Sequence, residues 1–253
     1  MKQEEEKVFV GILANGAMVH GTQALLAFQL PIWSFNPEVP YSFAFWIEAD
    51  VSPQDYKRNV IIEKFLESKC DTLVMIDDDM IINQTFLDLL GTPDYDIAGP
   101  LQYTMKAADP EKDRLTPECF PCAFMIDHEG TGQMKPVWPA SNGPVAEVDL
   151  VGSGVIAIKR RVFEDVRMLH EDGHSPPAYF RNIWLPNGRR ECGLDIDFCR
   201  RAKALGYKIK VNWQAEVGHF KQINLNDVDM FAKAQFLKGY GAGEKSHEVQ
   251  VEQ

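Results

Sequence analysis

Thr72-Leu73-Val74-Met75-Ile76-Asp77-Asp78-Asp79 decides how this chain is read, because an apolar run ends abruptly in three carboxylates. The run is short and polar residues bound it, so a buried strand is expected from Cys70 to Ile76. Carboxylates crowded at a strand end repel one another, and that repulsion is costly unless a cation or hydrogen-bond donors offset it. Hard divalent cations such as Mg²⁺ and Mn²⁺ take oxygen ligands and can be held there against a substrate phosphate. A single aspartate in this place would read better as a solvated turn residue capping the following helix. Three in succession point to a metal.

The segments on either side set the fold class. Val8 to Leu13 reads as the first strand, ending at the turn signal Ala14-Asn15-Gly16. A helix is expected from about Thr22 to Gln29, stopped near Pro31. Tyr41 to Glu48 alternates in strand fashion. Ser52-Pro53 then opens a helix to about Ser68, with Val60, Ile61, Phe65 and Leu66 as its buried face. A short helix over Asn83 to Leu90 and a strand over Asp96 to Gly99 follow. Strands alternating with helices indicate an α/β protein with a mostly parallel sheet. In such sheets ligands sit beyond the carboxyl ends of the strands. Asn15-Gly16, the aspartates and Gly99-Pro100 would therefore converge on one cleft.

Gln102 to Glu147 differs, being rich in Pro, Gly and charge. Two extended pieces, Phe120 to Ile126 and Met134 to Trp138, with a turn at His128 to Gly132, predict an inserted β-hairpin. Val148 to Val151 and Val155 to Lys159 flank Gly152-Ser153-Gly154, where glycine would let backbone approach a ligand closely or simply turn the chain. Helices are expected over Arg161 to Leu169 and over Asp195 to Leu205, the second closed by Gly206. Lys208 to Val211 and Ala215 to His219 read as extended. The domain expectation is one catalytic unit over 1–240, with its insertion at about 102–147 and a polar, disordered tail over 241–253.

The net charge of −11 over 253 residues argues against indiscriminate electrostatic binding to nucleic acid or anionic membrane, while leaving room for a local basic groove. No window reaches the length of a transmembrane helix. The N-terminus, Met1 to Lys7, is too acidic for a signal peptide. Five cysteines without an export signal favour reduced thiols and a cytoplasmic setting. Cys119-Phe120-Pro121-Cys122 has zinc-ligand spacing without a second such pair, so thiols are the simpler expectation.

Four segments together carry a resemblance. Val74 to Met80 resembles the DxD segment of GT-A glycosyltransferases, in particular the broad family-2-like group of compact bacterial or phage type. Val148 to Arg160 resembles that group's glycine-containing segment, and Gly193 to Ile209 its later acidic motif and helix. Val217-Gly218-His219 matches the place where many members supply a metal-binding histidine, and Arg58-Asn59 resembles a further helix motif. The resemblance implies a GT-A-like, Rossmann-type three-layer sandwich with a mostly parallel sheet and an inserted hairpin. It implies a nucleotide-sugar donor, a UDP-sugar foremost, and Mn²⁺ or Mg²⁺. Asp79 and His219 would then ligate the metal, with Asp77 a ligand or a contact to the donor. Asn15, Arg58, Asp77, Asp78, Gly152, Ser153 and Gly154 would line the donor site.

Asp195 would be the catalytic base of an inverting enzyme, or else a helix-starting residue that complements the dipole. The acidic residue usual before it is Leu194 here, which leaves inverting and retaining chemistry both open. Asp197 reads as structural. Trp138, Trp184 and Trp213 are candidate sugar platforms, with core packing the expectation for at least two. Arg189 and Arg190 read as a lid over the diphosphate or as solvated charges.

Two other functions compete. A nucleotidyltransferase would also hold Mg²⁺ with aspartates, but it would grip a triphosphate with a basic loop after the first strand. Ala14 to Gly21 contains no Lys or Arg. A binding module with a degenerate site conflicts with intact Asp77, Asp79, Asp195 and His219. The acceptor hydroxyl could belong to a glycan, a protein or a hydroxymethylated DNA base. Lys106, Lys112, Arg114 and Lys135 offer a local contact for the last, against the overall charge.

Overall fold

The computed structural model describes residues 6–14, 22, 29–49, 52–106, 118–127, 133–139, 143–170, 178–188 and 190–220. Sixteen strands run through these residues: β1 (Glu6–Leu13), β2 (Tyr41–Glu48), β3 (Thr72–Asp77), β4 (Met80–Ile81), β5 (Ile97–Leu101), β6 (Tyr103–Lys106), β7 (Glu118–Pro121) and β8 (Ala123–Ile126) come first. They are followed by β9 (Met134–Pro136), β10 (Val145–Glu147), β11 (Leu150–Val151), β12 (Val155–Lys159), β13 (Ile183–Trp184), β14 (Arg190–Cys192), β15 (Ile209–Glu216) and β16 (Gly218–His219). Five α-helices accompany them: α1 (Leu30–Phe35), α2 (Gln54–Glu67), α3 (Phe86–Leu90), α4 (Arg160–Glu164) and α5 (Leu194–Ala204).

Seven strands form the central sheet in the order β10-β15-β5-β12-β3-β1-β2. β1 pairs in parallel with β2 and β3, and β15 with β5. β12 lies antiparallel between β3 and β5, and β10 antiparallel on β15. The protein is thus mixed α/β with a mostly parallel sheet. The period of two along the strands divides its core in two. Phe9, Leu73 and Ile156 pack with Ile61 and Phe65 of α2 and Phe198 of α5 on one face. Val8, Val74 and Val155 pack with Trp33 of α1 and Phe86 of α3 on the other. Helices cover both faces, giving three layers.

Gly11 lets α2 lie close on the sheet: a Cβ there would sit 2.3 Å from Ile61 Cγ2. Pro31 stands in the first turn of α1, where a proline has no intrahelical bond to lose. The helix expected over 22–29 lies almost wholly outside the described residues. The helix expected from Arg161 to Leu169 is broken. α4 ends at Glu164, and Asp165 accepts from the Arg167 N–H to start a separate 3₁₀ turn, Val166–Met168. β15 is one continuous strand where two pieces were expected.

The chain divides into two units. The first, Met1–Tyr103 with Pro121–Phe220, carries the sheet and every residue of the candidate site discussed below. It includes the antiparallel pair β8–β9, the hairpin expected from the sequence, although β8 also pairs with β11 and β10 joins the central sheet. The second unit, Thr104–Phe120 with Lys221–Gln253, is described only over 104–106 and 118–120, where β6 meets β7. The expected tail over 241–253 lies outside the described residues.

Candidate functional site at the carboxyl end of β3

The aspartates turn from β3 into β4 under backbone restraint from three other segments. The Asp77 N–H donates to the Gly154 carbonyl at 2.8 Å, and the Asp78 N–H to the Leu13 carbonyl at 3.1 Å. Phe220 N–H donates to the Asp79 carbonyl at 2.8 Å, while β16 pairs His219 with Met80. The ends of β1 and β16 and the turn before β12 therefore all meet at the triplet.

The side chains of Asp77 and Asp79 have different neighbours. Asp77 Oδ1 accepts from Arg58 Nη2 at 2.6 Å, and the Arg58 side chain is fully buried. Its guanidinium also lies 5.7 Å from the centre of the Phe180 ring. Burial pushes the Asp77 carboxyl up to about 6; Arg58 opposes this, and the charges of Asp79 and Asp78 add to it. Beside Arg58, the buried Lys57 donates from Nζ to the Ala14 carbonyl at 2.7 Å, at the end of β1. The sequence reading missed Lys57. Its signal was spacing, since Lys57 and Arg58 stand one turn before the buried Ile61 and Ile62 on the same face of α2.

His219 Nδ1 lies 3.0 Å from the Tyr103 carbonyl, and its Nε2 lies 3.1 Å from Asp79 Oδ2. A carbonyl oxygen only accepts, so Nδ1 carries a proton. Nε2 is then either the second N–H of an imidazolium paired with Asp79, or a lone pair beside a carboxylate oxygen. The second arrangement is that of a metal-binding histidine oriented through its other nitrogen. Asp79 Oδ2 and His219 Nε2, in direct contact at 3.1 Å, would offer a metal ion two donors. Among the described residues no set of three or more His, Cys, Asp or Glu side chains has metal-binding geometry. Two protein donors suit Mg²⁺-like ions, which keep waters and take substrate phosphates at the remaining positions.

The glycines at 152 and 154 are explained by the protein's own packing. A Cβ on Gly152 would stand 2.7 Å from Cys122 Cβ, and one on Gly154 2.8 Å from Gln102 Oε1 and 2.9 Å from Met80 Sδ. Gln102, also missed by the sequence reading, donates from Nε2 to the Gly152 carbonyl at 2.7 Å and accepts the Val155 N–H at 3.2 Å. Ser153 between the glycines is buried.

Asp195 is the second residue of α5, and its Oδ1 accepts the neighbouring Ile196 N–H at 2.9 Å. Cys199, one turn further along, faces the Val151 carbonyl at 3.8 Å, so this side of α5 lies against the strand leading to the 152–154 turn. Asp197 holds His170 Nε2 at 2.8 Å and Arg201 Nε at 3.0 Å, a structural network. Asn59 of α2 holds the 178–180 segment: Nδ2 donates to Phe180 O at 2.9 Å, and Oδ1 accepts from Tyr179 N at 2.8 Å.

Of Trp138, Trp184 and Trp213, expected to include at least two core residues, only Trp213 is buried (7 %), which corrects that expectation. Trp138 and Trp184 are 53 % and 62 % exposed, placed by the end of β9 and by the short β13–β14 hairpin. Arg190 is exposed in β14. Asn15, Arg189, Lys112 and Arg114 lie outside the described residues. All five cysteines are free thiols. No helix among the described residues is long and apolar enough to cross a membrane.

No protein-family model matches the chain, and no curated protein does. Solved structures show likeness in shape. The crystal structure of A197 from STIV aligns at TM-score 0.44 and 17 % identity over 86 % of both chains. GalNAc-T7 with UDP, GalNAc and Mn²⁺ aligns at 0.47 and 11 % identity over 88 % of this chain and 45 % of that one. The inositol-1-phosphate CTP transferase from T. maritima aligns at 0.42 and 11 % identity over 93 % and 98 % of the two chains. At TM-scores below 0.5 the function has to be argued from the residues of the site.

Proposed function

We propose that this protein is a metal-dependent glycosyltransferase, moving a sugar from a nucleotide-sugar donor to an acceptor hydroxyl. The observation that carries the reading is the Asp79–His219 pair, whose 3.1 Å separation and Nδ1-protonated imidazole suit a divalent cation at the end of β3. Asp79 and His219 would hold Mn²⁺ or Mg²⁺, which as a Lewis acid stabilises the negative charge of a departing nucleoside diphosphate.

The chain's own groups have separable tasks. Arg58 keeps Asp77 in place and offsets charge that the three carboxylates would otherwise accumulate. Lys57 ties α2 to Ala14, the residue after β1, beside the expected nucleotide position. Gln102 fixes the 152–154 turn whose carbonyl at Gly154 holds the Asp77 backbone. Asp195 would take the proton of the attacking acceptor hydroxyl, which makes the transfer inverting. The acidic Asp77 to Asp79 floor and the net charge of −11 favour a neutral acceptor over a polyanion.

A screen of nucleotide sugars for hydrolysis and transfer, with Mn²⁺, Mg²⁺ or chelator, tests this. Turnover or binding of at least one nucleotide sugar that disappears with chelator is expected. Absence of both across the panel in the presence of metal sinks the reading.

A further inference from the structure

Tyr103 and Trp138 make an exposed aromatic corner next to the Asp79–His219 pair. Their ring centres are 6.5 Å apart and their planes are inclined at 49°. Tyr103 is 36 % exposed and Trp138 53 %. Both are anchored through their backbones. Tyr103 follows the buried Gln102, and its carbonyl accepts from the His219 ring at 3.0 Å. Trp138 follows Val137, whose N–H donates to the Ala123 carbonyl at 2.8 Å. An exposed tryptophan costs solvation unless something covers it, and rings on a fixed backbone lose little freedom when they are covered.

We propose that Tyr103 and Trp138 form the acceptor subsite, stacking the apolar face of a pyranose ring. The assignment rests on the glycosyltransferase reading above. Two inclined rings offer two faces to one compact, non-planar ligand, whereas a run of planar bases stacks on rings along a basic groove. The corner is linked through one carbonyl and one imidazole to an aspartate, and the chain carries a net charge of −11, which together weigh against a nucleic-acid backbone although Lys135 stands three residues before Trp138. A neutral glycan meets no repulsion. The place also suits the chemistry: a ring held at Tyr103 lies next to the group proposed to hold the donor's metal.

The full chain labelled with 5-fluorotryptophan gives five ¹⁹F signals, one for each Trp in the sequence. Trp138→Phe assigns the relevant one. Titration uses methyl pyranosides of glucose, galactose and N-acetylglucosamine, the corresponding hexasaccharides, and a ten-residue oligothymidylate. The Trp138 signal is expected to shift with at least one sugar, while those of the buried Trp33 and Trp213 stay fixed. Trp138→Ala should weaken that sugar about 5- to 10-fold and leave Mn²⁺-dependent UDP binding unchanged. Silence at Trp138 with every sugar, or a shift with the oligonucleotide alone, overturns the subsite while UDP binding continues to stand. A chain that binds no UDP with Mn²⁺ fails the underlying reading instead, whatever Trp138 does.

Discussion

Replacing Arg58 by Met should destabilise the protein in a pH-dependent way that isolates the charge of Asp77. Arg58 is fully buried and its guanidinium meets Asp77 at 2.6 Å, with Asp78 and Asp79 next in the chain. Methionine keeps much of the volume and removes the counter-charge. Breaking a buried pair by removing one partner costs about 3–5 kcal/mol, because the other charge stays buried and uncompensated. At about 2–4 °C per kcal/mol for a chain of this size, the midpoint of thermal unfolding should fall by about 6–20 °C at pH 7.5. The sign with pH follows from Asp77. Its carboxyl is raised from 3.8 to about 6 by folding, and loss of Arg58 raises it further. A carboxylate raised by folding subtracts stability above its folded value and stops doing so as pH falls through that value toward the unfolded one. The deficit of Arg58→Met should therefore shrink as pH falls from 7.5 toward about 6 and level off below that. Urea denaturation of both proteins in EDTA, at half-unit steps of pH, measures it. A deficit under about 1 kcal/mol at pH 7.5, or one that is constant across the range, refutes the argument.

Three further outcomes are expected. Gly154→Ala puts a Cβ 2.8 Å from Gln102 Oε1 and should cost about 1–3 kcal/mol in urea denaturation; Gln102→Ala, which vacates that space, should recover part of the loss in the double variant. Asn59→Ala removes hydrogen bonds to both Tyr179 and Phe180 and should cost about 2–3 kcal/mol, with faster amide exchange confined first to residues 178–182. Asp195→Asn should bind UDP with Mn²⁺ as the parent does and lose sugar transfer by about 10²-fold or more, so full transfer by that variant rejects its role as base.

Much of the fold could be read from residue pattern where a segment obeys one period. Tyr41 to Glu48 and the run from Thr72 behave as expected because alternation or an unbroken apolar run leaves a strand little competition. Asp195 to Leu205 behaves likewise, with Gly206 at φ +87° closing the helix. Pattern failed where tertiary contacts overrule it. Lys57 and Arg58 fall on the buried face of α2 by spacing, but their partners, the Ala14 carbonyl and Asp77, are distant in sequence. β10 is only three residues long and acquires its role by pairing with β15, sixty-odd positions away. The strand that ends in Asp77 was legible, but the reason for Gly152 and Gly154 was not. That reason is Gln102 and Cys122, which nothing in the local sequence ties to the turn.

The central claim is that Asp79 and His219 hold a divalent cation for a nucleotide diphosphate. Titration of Mn²⁺ followed by electron paramagnetic resonance, with and without UDP, tests it most directly on the parent protein, Asp79→Ala and His219→Ala. One site whose affinity rises with UDP is expected in the parent. Each variant, still folded by circular dichroism, should weaken it by about 10-fold or more. Variants that bind Mn²⁺ and UDP as tightly as the parent would contradict the account.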